Sequence, residues 1–249
     1  FAFIVTSTLV GALVENFGSD WILHTMVAGL VLMLLLSWLP LYPAPQDSQG
    51  ERAKASLLAT LRSAPVRRFL LLTALLQGSH AAYYGFSAIY WKAQGYSGTI
   101  IGYLWALGVV AEICMFAADK RFWQRFGAQS LFIAGAVGCV VRWVLLGAST
   151  ELWVLVLGQL LHSVTFGMSH LGAVRFITRQ LPAEQLIPTQ ALYAALGLGM
   201  TVAALMALCG VLFEPLGGGI FFLMVLVVLP VFFLRLRPFA PSAQERSPA

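Results

Sequence analysis

Two histidines stand three residues after a glutamine, Gln77 before His80 and Gln159 before His162, and both pairs lie inside long apolar runs. At that spacing the two side chains share one face of a helix. Together they offer hydrogen bonds to a polar group held away from water. His80 lies about 16 Å along its helix from the start of its run, near a bilayer midplane, and His162 reaches a similar depth from the other side. The His80 face continues through Tyr84, Ser87 and Trp91, and the His162 face through Phe166, Ser169 and His170. Rings that stack beside groups that hydrogen-bond suit a ligand made of an aromatic ring and an acid. The plainer alternative is interior packing, with each histidine satisfied by a neighbouring carbonyl.

Charged residues inside apolar runs are costly, at roughly 2.5 to 3.5 kcal/mol at a helix centre on insertion scales, and so attract functional readings. Glu112 is the one acid within a span away from its ends, and His170 is expected at a similar depth. These two are the candidates for carrying a proton. Arg142 is the one basic residue deep in a span, and a carboxylate ligand would want such a partner. Counting along the helices puts Arg142 about 9 Å from one membrane surface and Glu112 about as far from the other, which argues against a direct pair.

These residues must be positioned by membrane helices. The chain is 59% apolar and 10% charged, far from the roughly 25% charged of a soluble domain. Runs of about 20 residues, enough to cross a bilayer, are predicted at 21–39, 69–91, 99–118, 129–148, 152–174, 189–213 and 219–235. An eighth, over 1–14, opens inside an apolar run without Met and reads as a helix cut at its start, with no basic flank or cleavage site of a secretory signal. Continuous runs without period-two alternation exclude a barrel. The expected fold is all-α, a polytopic helical bundle. The net charge of +5 is no nucleic-acid signal, because Lys and Arg gather in alternate loops, at 52–68, 120–125, 175–179 and 235–246, with Lys92 the exception in the intervening loops. By the positive-inside rule those loops and the C-terminus are cytoplasmic. Cys114, Cys139 and Cys209 sit in spans without metal spacing, so neither metal nor cofactor is expected.

GALVENFG at 11–18 returns as GVLFEPLG at 210–217, with Gly, Leu, Glu and Gly at the same four places. The second copy lies six spans further on and in the same orientation, as parallel repeats would give. Residues 1–39 then read as the last two helices of a first half and 40–68, rich in Pro, Gln, Ser and charge, as a cytoplasmic linker. A complete six-helix half follows at 69–235, with a cytoplasmic tail at 236–249.

This organisation resembles the major facilitator superfamily, with the chain covering the last eight of twelve helices and the N-terminal half truncated. QGSHAAYYGFSAIYW at 77–91 and GYLWALGVVAE at 102–112 are similar to the phenylpropionate and cinnamate permease branch of that superfamily. The resemblance implies proton-coupled uptake of an aromatic monocarboxylate by alternating access, in a bacterial inner membrane, by a transporter rather than an enzyme. The substrate would meet Gln77, His80, Tyr84, Gln159, His162 and Phe166, with Glu112 and His170 coupling protons and the four absent helices needed for transport. The superfamily's gating-loop signature survives in part as Asp119, Lys120 and Arg125 within AADKRFWQRFG, where Ala and Phe replace two expected glycines. Since the third helix of a half is peripheral in that superfamily, a snorkelling or structural Arg142 is favoured over a carboxylate clamp. A proton symporter for nucleosides or sugars, a non-transporting membrane sensor and a membrane-embedded enzyme remain alternatives. The last is weakened because His162 and His170 lie eight apart, unlike HExxH metal helices.

Overall fold

The structure is a computed structural model that describes residues 2–39, 56–118 and 122–236. Among the described residues all regular structure is helical, as the apolar runs require when lipid leaves backbone groups no other partner. Helices α1 (Ala2–Phe17) and α2 (Asp20–Ser37) come first, followed by the short α3 (Leu57–Arg62). Six helical columns follow. They are α4 (Ala64–Gly78) with α5 (Ala81–Ala93), then α6 (Gly98–Ala117), α7 (Ala128–Ala148), and α8 (Leu152–Leu160) continuing through a π-helical turn at Ser163–Met168 into α9 (Ser169–Gln180). The fifth is α10 (Ala183–Leu192), a second π-helical segment at Tyr193–Met200 and α11 (Thr201–Leu216), and the last is α12 (Ile220–Val228) with a 3-10 end at Leu229–Phe233.

The run expected as one helix over 69–91 is two helices. Between them the Ser79 hydroxyl turns back to donate to Leu76 O at 2.7 Å, and His80 N–H bonds Gln77 O at 3.0 Å, one residue short of an α-helical bond. A serine competing for the ladder is a known cause of a bend. The bend falls on His80. The two π-helical segments likewise interrupt columns that apolar composition reads as continuous, and such bulges gather at functional sites. Within the expected linker, Leu57–Arg62 is helical, capped by the Ser56 hydroxyl accepting from Ala59 N–H at 3.1 Å; residues 40–55 lie outside the described residues.

The repeated octapeptide marks two helix ends. Gly18 closes α1 with φ +96° and Gly217 closes α11 with φ +50°, both in the left-handed region that glycine enters without strain. In the first copy Gly11 also lets α1 lie against α6. A β-carbon on Gly98 would stand 2.7 Å from Gly11 O and one on Gly102 2.8 Å from Ser7 O, so backbones touch where side chains would forbid it. Glu15 then accepts from Thr99 N–H at 3.0 Å and from the Thr99 hydroxyl, in the first turn of α6. Its charge there complements the helix dipole.

The core among α4–α12 is aromatic at both ends. Phe69 stacks on Phe176 with centroids 4.6 Å apart and touches Phe132 and Tyr193, while Trp143 stacks on Phe221 at 6.2 Å. By contrast, α2 buries no residue, and its Leu, Val and Met side chains stand exposed as hydrocarbon permits.

Candidate functional site

The bend at His80 and the π-helical turn after His162 bring the two histidines together, with ring centroids 5.8 Å apart. Both are buried. Nδ1 of His80 faces Leu76 O at 3.0 Å, and since a carbonyl only accepts, the neutral ring carries its hydrogen there. Nε2 is then the acceptor, 3.1 Å from the Thr165 hydroxyl. Thr165 itself is fully buried in the π-helical turn.

Arg142 reaches this cluster from α7 and is 0% exposed, which overturns the snorkelling expectation. Its way in is opened by glycine. A β-carbon on Gly158 would meet Leu146 at 2.8 Å and one on Gly138 would meet Val164 at 2.8 Å, so α7 lies too close to the next column for Arg142 to lie between helix and lipid. The guanidinium donates from Nε to Gly158 O at 2.7 Å and from Nη1 to His162 Nδ1 at 3.1 Å and Thr165 Oγ1 at 3.3 Å. It lies over the rings of Tyr83, 4.3 Å from the centroid, and Trp143, 4.7 Å. Its Nη2 is buried with no hydrogen-bond partner among the described residues.

Arginine only donates, so His162 Nδ1 must accept, and the neutral ring carries its hydrogen on Nε2. That nitrogen faces Glu112 Oε2 at 3.7 Å, beyond the range of a hydrogen bond. Arg142 and Glu112 do not meet directly, as their depths predict. His162 stands between them and connects the two.

Gln159 accepts the Tyr83 hydroxyl at 2.8 Å through Oε1 and holds its Nε2 buried without a hydrogen-bond partner. Tyr84 lies 5.7 Å from His80 and 6.4 Å from His162, and Phe166 stacks on His162 at 5.5 Å. Thus His80, Tyr84, Gln159, His162 and Phe166 gather in one place with Arg142 and Glu112.

Other expected members lie apart. Gln77 is buried one turn before the bend, its Nε2 without a hydrogen-bond partner. His170 pairs with Tyr193, Nδ1 to the hydroxyl at 3.1 Å, and connects to the cluster only by stacking on Phe166 at 5.8 Å. Beyond Tyr84 the α5 stripe turns inward, with Ser87 and Trp91 fully buried. Asp119 and Lys120 lie outside the described residues, and Arg125 is exposed with its guanidinium 5.4 Å from the Phe126 ring.

The residues sequence reasoning missed are Tyr83, Thr165 and Trp143. Tyr83 sits three residues after His80, a spacing that shares its helical face. Thr165 sits three residues after His162, a spacing that could have been noticed. For Trp143, next to Arg142 in the chain, no sequence signal distinguishes it from other core aromatics.

Helices long and apolar enough to cross a membrane, carrying a buried cation hydrogen-bonded to a histidine that faces an acid, make this a multi-pass membrane protein with an ionisable centre. The MFS_1 like family model matches residues 1–224, and the chain belongs to that family. It is 42% identical over 237 residues to a protein of Escherichia coli (strain K12) named "Probable 3-phenylpropionic acid transporter", covering 94% of this chain and 62% of that protein. It is 26% identical over 174 residues to the maltose permease of Geobacillus stearothermophilus, covering 70% of this chain and 44% of the permease. Both relatives bear transporter names rather than enzyme names. The chain therefore spans less than two thirds of their lengths. No solved structure matches it.

Proposed function

We propose that the whole protein to which this chain belongs is a secondary active transporter that takes up an aromatic monocarboxylate, such as 3-phenylpropionate, together with a proton. The observation that carries this reading is the buried Arg142, hydrogen-bonded to His162, whose other nitrogen faces Glu112 at 3.7 Å, and holding Nη2 without a partner. A carboxylate is acceptor-only and matches such a donor, and the Nε2 of Gln159 supplies a second. Tyr84 and Phe166 present rings beside them. The E. coli relative's printed name supports the substrate class.

Coupling follows from charge. While Glu112 is ionised it balances Arg142 through His162, and an incoming anion gains little. A proton on Glu112 removes that counter-charge, so the substrate carboxylate replaces it. Proton binding thus precedes and favours substrate binding, and release of either on the far side weakens the hold on the other. His162 keeps Nε2–H toward Glu112 because Arg142 occupies Nδ1, which lets it pass this change without leaving its place. His170, with Tyr193, extends the route toward the cytoplasm.

We take residues 1–39 to belong to a first half and 69–235 to form a second, with the 40–68 linker, the tail and the basic loops, including Arg125, on the cytoplasmic side. Alternating access then needs both halves, and residues 1–249 alone do not accumulate substrate in liposomes. The similarity to a maltose permease favours a second reading, a sugar carrier in which Gln159 and Tyr83 bond hydroxyls; a buried Arg142 is superfluous for a neutral sugar.

Uptake of labelled 3-phenylpropionate by cells producing the full-length protein, with and without a protonophore and against excess maltose, tests the reading. Saturable uptake abolished by the protonophore and indifferent to maltose is expected. Uptake insensitive to the protonophore overturns the coupling, and no uptake despite membrane insertion overturns the substrate class.

A further inference from the structure

Away from the central cluster, a cavity of about 570 Å³ opens between α1, α5 and α6 at the end of the bundle opposite the basic loops. Ligand sites for small organic molecules fall in this size range. Its walls are apolar, from residues such as Ile89 and Ile101. Two polar features give it direction. At its mouth stand Lys92 and Tyr96, and the Tyr96 ring is held in place by its hydroxyl donating to Thr150 O at 2.6 Å. At its inner end is Trp105, whose ring stacks on Tyr83 at 4.5 Å and lies 6.1 Å from Tyr84. One indole therefore lines the cavity and also lies against two tyrosines of the central cluster.

The charges at this end sharpen the reading. Glu15, Asp20, Glu151 and Glu214 are acids at the helix ends here, and among the described residues Lys92 is the one Lys or Arg at this end. Such a face repels anions in general. Glu15 lines the same cavity, but its carboxylate is engaged by Thr99 N–H and hydroxyl in the first turn of α6. Lys92 has no described carboxylate within ion-pair distance. A cation set over an aromatic, apolar cavity fits an anion that carries an apolar ring, whereas a neutral sugar gains no charge pairing from the ammonium and an inorganic anion nothing from the walls.

We propose that this cavity is a capture site for the aromatic monocarboxylate, where Lys92 meets the carboxylate and Tyr96 and Trp105 receive the ring before it passes to the central site. The inference rests on the function proposed above. It adds a second binding place and gives Trp105 the role of the step between the two.

Initial rates of labelled 3-phenylpropionate uptake in proteoliposomes of the full-length protein, comparing wild type with Lys92→Gln and Lys92→Arg at matched protein amounts, provide the test. A solvated unit charge a few ångströms from the carboxylate gives a rise in KM of roughly threefold for Lys92→Gln at low ionic strength, with Vmax unchanged. The gap closes as salt shortens the screening length. Lys92→Arg retains the wild-type KM. An unchanged KM in Lys92→Gln, or a fall in Vmax alone, overturns the capture site while wild-type uptake leaves the transport function standing. Wild-type protein that takes up no 3-phenylpropionate overturns both.

Discussion

Replacing Glu112 with Gln fixes the site in a state that resembles protonation, and its consequences can be worked from the geometry. Nη1 of Arg142 lies 3.1 Å from one nitrogen of His162, and the other nitrogen lies 3.7 Å from Glu112 Oε2. Across the ring, guanidinium and carboxylate are thus roughly 9 Å apart, where Coulomb's law at an effective dielectric of about 20 gives about 2 kcal/mol. A carboxylate arriving at Arg142 stands at a comparable distance from Glu112, so an ionised Glu112 repels it by about the same energy, equivalent to an affinity difference of roughly 20- to 30-fold. In wild type, raising the pH ionises Glu112, restores the counter-charge and weakens substrate binding, by at most about tenfold per pH unit for one linked proton. In Glu112→Gln the counter-charge never appears. Affinity for 3-phenylpropionate should therefore match the wild type's low-pH value and stay flat as the pH is raised. Exchange of internal for external substrate should survive, because it needs no net proton movement, while accumulation driven by a pH gradient should be lost. Binding measured by scintillation proximity across pH, alongside counterflow and gradient-driven uptake in proteoliposomes, reads all three. A variant that keeps the wild-type pH slope, or still accumulates substrate on a gradient, refutes the coupling through His162.

Three other substitutions probe the same architecture. Thr165→Val leaves His80 Nε2 and Arg142 Nη1 each short of a partner in the buried centre, so KM should rise about tenfold, from a loss of about 1 to 3 kcal/mol, and Thr165→Ser should restore it; a wild-type KM in the valine variant excludes Thr165 as a positioning residue. Arg142→Lys replaces a planar fork serving Gly158 O, His162 and Thr165 with a single ammonium, so KM should rise by about tenfold or more although charge is conserved; equal kinetics would show that charge alone matters. Gly102→Val places side-chain atoms where even a β-carbon would stand 2.8 Å from Ser7 O, and the melting temperature in detergent should fall, for an overpacking cost of about 1 to 3 kcal/mol, with no change if α1 does not lie on α6.

Most of the fold can be read from the sequence because bilayers leave few options. A run of about 20 apolar residues has one way to satisfy its backbone, and α6 and α7 fall within a residue or so of the expected spans. The interruptions were not legible. Ser79 looks like any small polar residue in a span, and only its hydroxyl reaching Leu76 O makes the bend; the π-helical turn at Ser163–Met168 has no marker residue at all. Gly217, the last residue of the repeated octapeptide, is easier to interpret, because its left-handed φ leaves few residue types to choose from.

The site was half legible, and the missing half has one cause. Periodicity along a helix predicts which residues share a face, so His80 with Tyr84 and His162 with Phe166 could be paired in advance. It does not predict which side of another helix that face meets. Arg142 shows the difference. Its depth along α7 predicts no direct pair with Glu112, whereas a third helix expected at the edge points to a snorkelling or structural side chain and not to the centre of the site. Gly138 and Gly158 draw α7 against the neighbouring column, and a long side chain caught in that seam goes inward, to Gly158 O, His162 and Thr165. The same inward turn places His162 between the two charges. A mechanism in which the proton and the substrate communicate therefore has to pass through a residue that face-by-face reading had assigned to the substrate alone.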